Sequence, residues 1–133
     1  MSHPKIAVTM GDPAGVGPEI CLELLGNERV SEHCIPVIFG DAEVLSRCAE
    51  KTGKQKPSDV ITWADLSTVD APSVLSLEGI DVDQLTPGEI SEATGHATYR
   101  YLDSAITACR RSEVDAVTTA PANKTALRQA GIT

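Results

Sequence analysis

Aromatic side chains are nearly absent: Phe39, Trp63, Tyr99 and Tyr101 make up 3% of the 133 residues. A core without rings has to be built from Ile, Val, Leu and Ala, a composition that suits a sheet covered by helices. Positive charge is also scarce, with 11 Lys and Arg against 19 Asp and Glu and a formal net charge of −8. The only adjacent basic residues are Arg110-Arg111. A nucleic-acid backbone would be repelled by that average surface and is not an expected partner. A locally positive pocket can still take a small anion. The first apolar run, Ile6 to Met10, is too short for a secretory leader or a membrane span, so a cytoplasmic chain with no membrane partner is expected. No C-x-x-C pair joins Cys21, Cys34, Cys48 and Cys109, which are read as reduced thiols. His3, His33 and His96 are far apart and form no H-x-x-x-H pair, so no metal site wholly inside this chain is expected. Neither a G-x-S-x-G elbow nor a Ser-His-Asp arrangement is visible.

What is present alternates regularly. Lys5 to Met10 reads as a strand. Gly11 to Pro18 follows with three glycines and two prolines in eight residues, a loop of demanding backbone geometry. Pro18 and Glu19 then suit the first turn of a helix that stops near Gly26-Asn27. Cys34 to Gly40 is a second strand, with Pro36 near its start, where proline is tolerated. Asp41 can cap a helix from Ala42 to about Thr52, ended by Gly53. Val60 to Trp63 is a weaker strand, and residues 64–85 are irregular apart from a strand at Ser73–Leu77. Thr86-Pro87-Gly88 is a turn. Ser91 caps a long helix from about Glu92 to Ser112, whose apolar or small positions Ala97, Tyr101, Leu102, Ala105, Ile106 and Cys109 predict one buried face. Gly95 weakens its first turn. Val114 to Ala120 is a β-branched strand broken by Pro121, and the last helix runs from Thr125 to Ala130 before Gly131. This order predicts an α/β fold with a mostly parallel sheet and helices packed on it.

Ligands of open α/β sheets bind beyond the C-terminal strand ends. Two loops sit there: Gly11–Pro18 and Pro121–Lys124. Gly15-Val16-Gly17 before a helix could present N–H groups to an anion. The loop lacks the Lys-Ser or Lys-Thr of a Walker A motif. Its glycine spacing is wrong for a dinucleotide fingerprint, and no acid cleanly terminates the next strand. Asp12 adds a carboxylate that could meet a hydroxyl, an amine or a metal. The alternative is a tight turn whose glycines serve only the backbone. In the second loop, Lys124 is a candidate point charge for phosphate or carboxylate, and Asn123 is either a helix cap or a ligand contact. A solvated surface lysine is the alternative there.

Thr9-Met10-Gly11-Asp12-Pro13-Ala14-Gly15-Val16-Gly17-Pro18-Glu19 resembles the opening signature of the 4-hydroxythreonine-4-phosphate dehydrogenase family. Val117-Thr118-Thr119-Ala120-Pro121-Ala122-Asn123-Lys124-Thr125-Ala126-Leu127, with Ala130-Gly131-Ile132, is similar to that family's next landmark. Pro87-Gly88, Ser91 and Gly95 fall in matching places. The resemblance implies a three-layer α/β/α, isocitrate/isopropylmalate dehydrogenase-like fold of two domains, working as a homodimer. It also implies NAD or NADP and a divalent metal (Zn, Mg or Co) acting on a small phosphorylated hydroxy acid. The implied reaction oxidises 4-phosphooxy-L-threonine to a 3-oxo acid that decarboxylates, in pyridoxal 5′-phosphate biosynthesis. Paralogues that oxidise D-threonate or D-erythronate 4-phosphate share the Thr-Met-Gly-Asp-Pro opening and remain an alternative.

Family members are more than twice as long. A Gly-His-Thr substrate motif is expected directly after Thr133, with the metal-binding histidines later still. The chain is therefore expected to be an N-terminal portion of the two-domain enzyme, with the metal ligands outside it. Asp12, Asn123 and Lys124 carry over as candidate substrate contacts. A non-catalytic truncated remnant, or a generic phosphate-binding α/β domain, are the competing readings.

Overall fold

The structure, a computed structural model, describes residues 3–132. Five parallel strands lie in the order β3-β4-β2-β1-β5. In chain order the elements are β1 (Lys5–Thr9), α1 (Gly17–Leu25), α2 (Glu28–Ser31), β2 (Ile35–Gly40), α3 (Ala42–Thr52), β3 (Val60–Ile61), β4 (Ser73–Ser76), α4 (Glu92–Arg110), β5 (Ala116–Thr119) and α5 (Lys124–Gln129). Short 3-10 turns occupy Trp63–Asp65 and Val82–Gln84. The expected α/β architecture is present. Helix α2 was not anticipated; Asn27 starts it by accepting the N–H groups of Arg29 and Val30, a local capping signal hidden behind the end of α1.

Alternation along the strands divides the core between two faces. Val8, Ile38 and Val74 pack with Cys21 and Leu22 of α1 and with Val44 and Leu45 of α3. Ala7, Val37, Phe39 and Leu75 pack with Ala105 and Ala108 of α4. Phe39 meets Trp63 edge to face on that second side, so half of the meagre aromatic content is spent on one contact. Pro36 lies in the central strand β2, and the register shows why it is tolerated. Ile35 donates its N–H toward β1, so the neighbouring position faces β4. Strand β4 begins only at Ser73, opposite Val37, so no ladder bond is lost at Pro36.

Helix α4 crosses from the first cluster to the second. Its early residues Ala97 and Tyr101 join Met10, Ala120 and the α1/α3 side, while Ala105 and Ala108 lie on the other face. The buried stripe is Thr94, Gly95, Ala97, Thr98, Tyr101, Ala105 and Ala108. This corrects the sequence expectation: Ile106 is 43% exposed, and Leu102 and Cys109 are only half-buried. Apart from Tyr101, small side chains make the close approach to the sheet, so the helix turns its larger aliphatics outward. Ser91 caps α4 as expected, in a box with Thr94.

A second correction concerns Asp41. It occupies the N-cap position of α3 but makes no capping hydrogen bond. The Ala42 N–H instead donates to the Ser76 hydroxyl on β4 at 3.0 Å. The Asp41 carboxylate, buried at the end of β2, accepts the Tyr101 hydroxyl and, at 3.1 Å, the Gly79 N–H. One carboxylate thereby joins β2, the exit of β4 and α4. Burial raises the Asp41 pKa above its ordinary 3.8, aided by the Glu78 charge, while Tyr101, Gly79 and Arg100 pull it back. Burial also raises the Tyr101 hydroxyl, and the Asp41 charge adds to that.

A carboxyl raised on folding binds protons more tightly in the native state. Its contribution to stability is complete below the unfolded value and is lost as pH rises through the folded one. Asp41→Asn keeps an acceptor for Tyr101 and Gly79 and removes the titration. Urea denaturation at about pH 4 and about pH 7 is expected to show the wild type losing stability relative to the variant as pH rises; a relative gain would refute the account.

Candidate functional site

The sequence puts a proline and glycine-rich loop after β1 and another proline loop after β5. The fold makes them neighbours because β1 and β5 pair in parallel, with Ile6 opposite Ala116 and Thr9 opposite Thr119. The pairing continues past the strands: Ala120 N–H donates to Thr9 C=O at 3.0 Å and Asp12 N–H to Pro121 C=O at 3.1 Å. Beyond that point the chains part. The first leads into α1, packed with α3; the second leads into α5, packed on α4. Such a divergence at neighbouring C-terminal strand ends is where open α/β sheets hold ligands.

Local chemistry explains the first loop. Gly11 has φ +74°, and a Cβ there would stand 2.3 Å from Pro121 O; at Gly17 a Cβ would stand 1.9 Å from Met10 O. Both glycines are needed to bring backbone against backbone. Gly15 is different. Its φ is not left-handed, the nearest atom to an added Cβ is Asp12 Cβ at 3.4 Å, and the residue is exposed. The fold of this chain therefore does not require glycine at position 15.

Asp12 is buried, and its Oδ1 accepts the Ala14 N–H at 2.9 Å while its carbonyl accepts the Gly15 N–H at 3.0 Å. It therefore folds the turn by the local side-chain bonding common to Asp. Its other oxygen has no protein donor among the described residues. Asn123 is the cap of α5, accepting the Ala126 N–H at 3.0 Å; its amide nitrogen has no protein partner among the described residues. Lys124 is the first residue of α5, exposed, and without an ion pair among the described residues. A cation at a helix start gains nothing from the helix dipole. The structure thus brings the loops carrying Asp12, Asn123 and Lys124 to one end of the sheet and gives Asp12 and Asn123 structural duties as well.

Against the sequence reading, an acid does follow the second strand: Asp41 comes directly after Gly40, the place where a dinucleotide fold puts its ribose-binding acid. Here it is buried against Tyr101 and Gly79 and is not free for a ribose hydroxyl. Among the described residues no three His, Cys, Asp or Glu side chains converge to hold a metal. The described residues thus offer neither a three-ligand metal site nor a free acid for a nicotinamide ribose at this strand end. A hollow of about 310 Å³ lined by Leu22, Leu25, Lys54, Asp59, Pro72 and Val74 belongs to the opposite sheet edge, where β3 and β4 begin. The residues that sequence reasoning missed are Gly79, Thr98 and Tyr101, which support the strand ends from α4 and the exit of β4. The buried face expected for α4 included Tyr101, as a core residue only, and did not include Thr98.

A parallel α/β sheet whose loops diverge at neighbouring C-terminal strand ends defines the class of α/β proteins that bind small molecules at that edge. Comparison with known proteins narrows the class. Residues 32–133 match the family model of the pyridoxal phosphate biosynthetic protein PdxA, and the chain belongs to that family. It is 38% identical, over 98% of its length, to a Symbiobacterium thermophilum protein with the provisional name D-threonate 4-phosphate dehydrogenase, and covers 40% of that protein. It is equally 38% identical to the 4-hydroxythreonine-4-phosphate dehydrogenase of Trichlorobacter lovleyi, over 96% of this chain and 39% of the relative. The crystal structure of a 4-hydroxythreonine-4-phosphate dehydrogenase from Burkholderia phymatum superposes with TM-score 0.87 at 32% identity, covering 99% of this chain and 40% of that one. The chain thus spans about 40% of the length of the relatives it matches. No helix among the described residues is long and apolar enough to cross a membrane.

Gly11→Ala combines left-handed strain with a backbone clash and is expected to cost about 2–4 kcal/mol. Gly15→Ala is expected to cost under about 1 kcal/mol. Urea midpoints of the two variants check this; equal losses would show that the loop needs both glycines for its fold.

Proposed function

We propose that the crevice between the β1 and β5 loops is one wall of the substrate site of a phosphorylated hydroxy-acid dehydrogenase. The observation that carries this reading is the pairing of β1 with β5, which sets the Asp12 turn beside the loop carrying Lys124. Two details support it: a glycine at position 15 that the fold does not need, and a lysine whose charge has no partner among the described residues. Lys124 holds a phosphate or carboxylate of the substrate as a point charge. Asn123 and Asp12 offer a donor and an acceptor to its other polar groups, each fixed in place by its hydrogen bond to the local backbone.

The substrate in this reading is 4-phosphooxy-L-threonine, oxidised to a 3-oxo acid that decarboxylates, as in pyridoxal 5′-phosphate biosynthesis. Oxidation depends on NAD or NADP and a divalent metal, whose sites belong to parts of the whole protein other than the residues described here. The whole protein is a cytoplasmic homodimer in this proposal, and residues 1–133 alone do not turn over. The Symbiobacterium relative's name favours a second reading, oxidation of D-threonate or D-erythronate 4-phosphate. Both substrates are phosphorylated hydroxy acids, so the wall described here serves either.

The test is a comparison of rates on 4-phosphooxy-L-threonine and D-threonate 4-phosphate with the whole enzyme, before and after exhaustive chelation. Activity that survives chelation overturns the metal dependence, and turnover by residues 1–133 alone overturns the division of labour. Lys124→Met is expected to raise KM for the phosphorylated substrate about tenfold or more, the loss of one charge-assisted contact, with kcat less affected. An unchanged KM removes Lys124 from the site.

A further inference from the structure

Past the strands the β1 and β5 loops share one backbone hydrogen bond, Asp12 N–H to Pro121 C=O, and the close packing of Gly11 against Ala120 and Pro121. These contacts hold only the first residues of the two loops, which then diverge into α1 and α5. Helix α4 meets the β1 loop and α5. Thr98 Oγ1 lies 3.3 Å from Gly11 C=O and 2.8 Å from Thr94 C=O, so its one proton is shared between the turn below and the helix itself. Among the described residues no other group donates to Gly11 C=O, and Gly11 is buried. A buried carbonyl without a donor is costly, so this contact constrains the loop more than its length suggests. Three residues earlier, Gly95 receives α5: a Cβ added there would stand 2.0 Å from Ala126 O and 3.0 Å from Ala130 Cβ. Positions three apart lie on one helix face, and both residues are buried.

We infer that Gly95 and Thr98 are positioning residues that brace the β1 loop and α5 from one rigid face of α4. In doing so they set the spacing between the Asp12 turn and Asn123-Lys124. The inference rests on the crevice being the anion site, but the brace itself is measurable without any ligand. Thr98 orients the loop through the carbonyl that precedes Asp12, and Gly95 sets how deeply α5 seats through the backbone at Ala126. Neither touches substrate.

Thr98→Val preserves shape and removes the hydroxyl; Thr98→Ser preserves the hydroxyl and removes the methyl. Amide hydrogen exchange on the chain, read at Ala14 and Gly15 with Ile38 and Leu45 as core references, is expected to quicken about fivefold in Thr98→Val, the factor of one hydrogen bond. The references are expected to stay unchanged, and Thr98→Ser to keep the wild-type pattern. Gly95→Ala is expected to quicken exchange at Ala126 and Leu127. In parallel, inorganic phosphate titrated against the amide signals of Gly15 and Lys124 is expected to bind more weakly to Thr98→Val and Gly95→Ala than to wild type or Thr98→Ser. Unchanged loop protection in Thr98→Val, failure of serine to rescue, or a rise that includes the core references would each overturn the brace. If wild type shows no phosphate response, the anion reading falls while the exchange rates still decide the brace.

Discussion

The parallel pairing of β1 with β5 is the constraint on which the rest depends. It joins Lys5–Thr9 to Ala116–Thr119 across more than a hundred residues of intervening chain, so its loop-closure entropy is offset only after the other elements are in place. Three features help. Lys5 N–H donates to the Asp115 carboxylate at the start of the pair. Asp12 closes its far end. Helix α4 lies across β1 and β5 between them, its length allowing one element to span the sheet and then reach the strand ends. Without that pairing the two loops would have no common end of a sheet to occupy.

The order of elements was legible because each is punctuated by residues with one physical use. Pro18 in a first helical turn, Gly53 in the left-handed end of α3 and Ser91 as a cap all act as their chemistry requires. What was not legible depends on partners distant in sequence. Asp41 stands in the position of a cap, and nothing local shows that a tyrosine sixty residues later will take its carboxylate. Ser76 supplies the cap that Asp41 does not. The rotation of α4, which buries Thr94 and Thr98 and exposes Ile106, follows from the close approach of helix and sheet, where a small hydroxyl side chain fits better than a branched aliphatic. The same holds for the candidate site. Its loops could be named from glycine, proline and lysine at strand ends, but that they meet depends on strand order, which periodicity does not encode.

The Asp41–Tyr101–Gly79 junction shows how a chain poor in aromatics spends one of them. Tyr101 fills core volume among Met10, Val82 and Ala97 and delivers a hydroxyl to the carboxylate. An apolar pair would avoid desolvating a charge, so the junction is not an optimum of stability. It is directional, however. Two donors on one carboxylate oxygen fix where α4 lies relative to the ends of β2 and β4, and α4 is also the helix that meets the β1 loop and α5. Ordinary hydrophobic contacts would tolerate sliding of that helix; a buried polar junction does not.

Net charge and site charge separate for the same geometric reason. A chain at −8 repels a diffuse polyanion, but a small anion responds to charges within about a Debye length, roughly 8 Å. Of the cations in ion pairs, Lys54 faces Glu23 and Lys56 faces Glu50, both in or beside the connection from α3 to β3, where their fields are largely cancelled. Arg47 is likewise matched to Asp83. Lys124 has no such match among the described residues and stands where β5 hands the chain to α5. Local electrostatics is set by which charges lie close by, so a lysine without an ion pair among the described residues, beside a glycine turn, can attract a single small anion even in a chain whose net charge repels a polyanion.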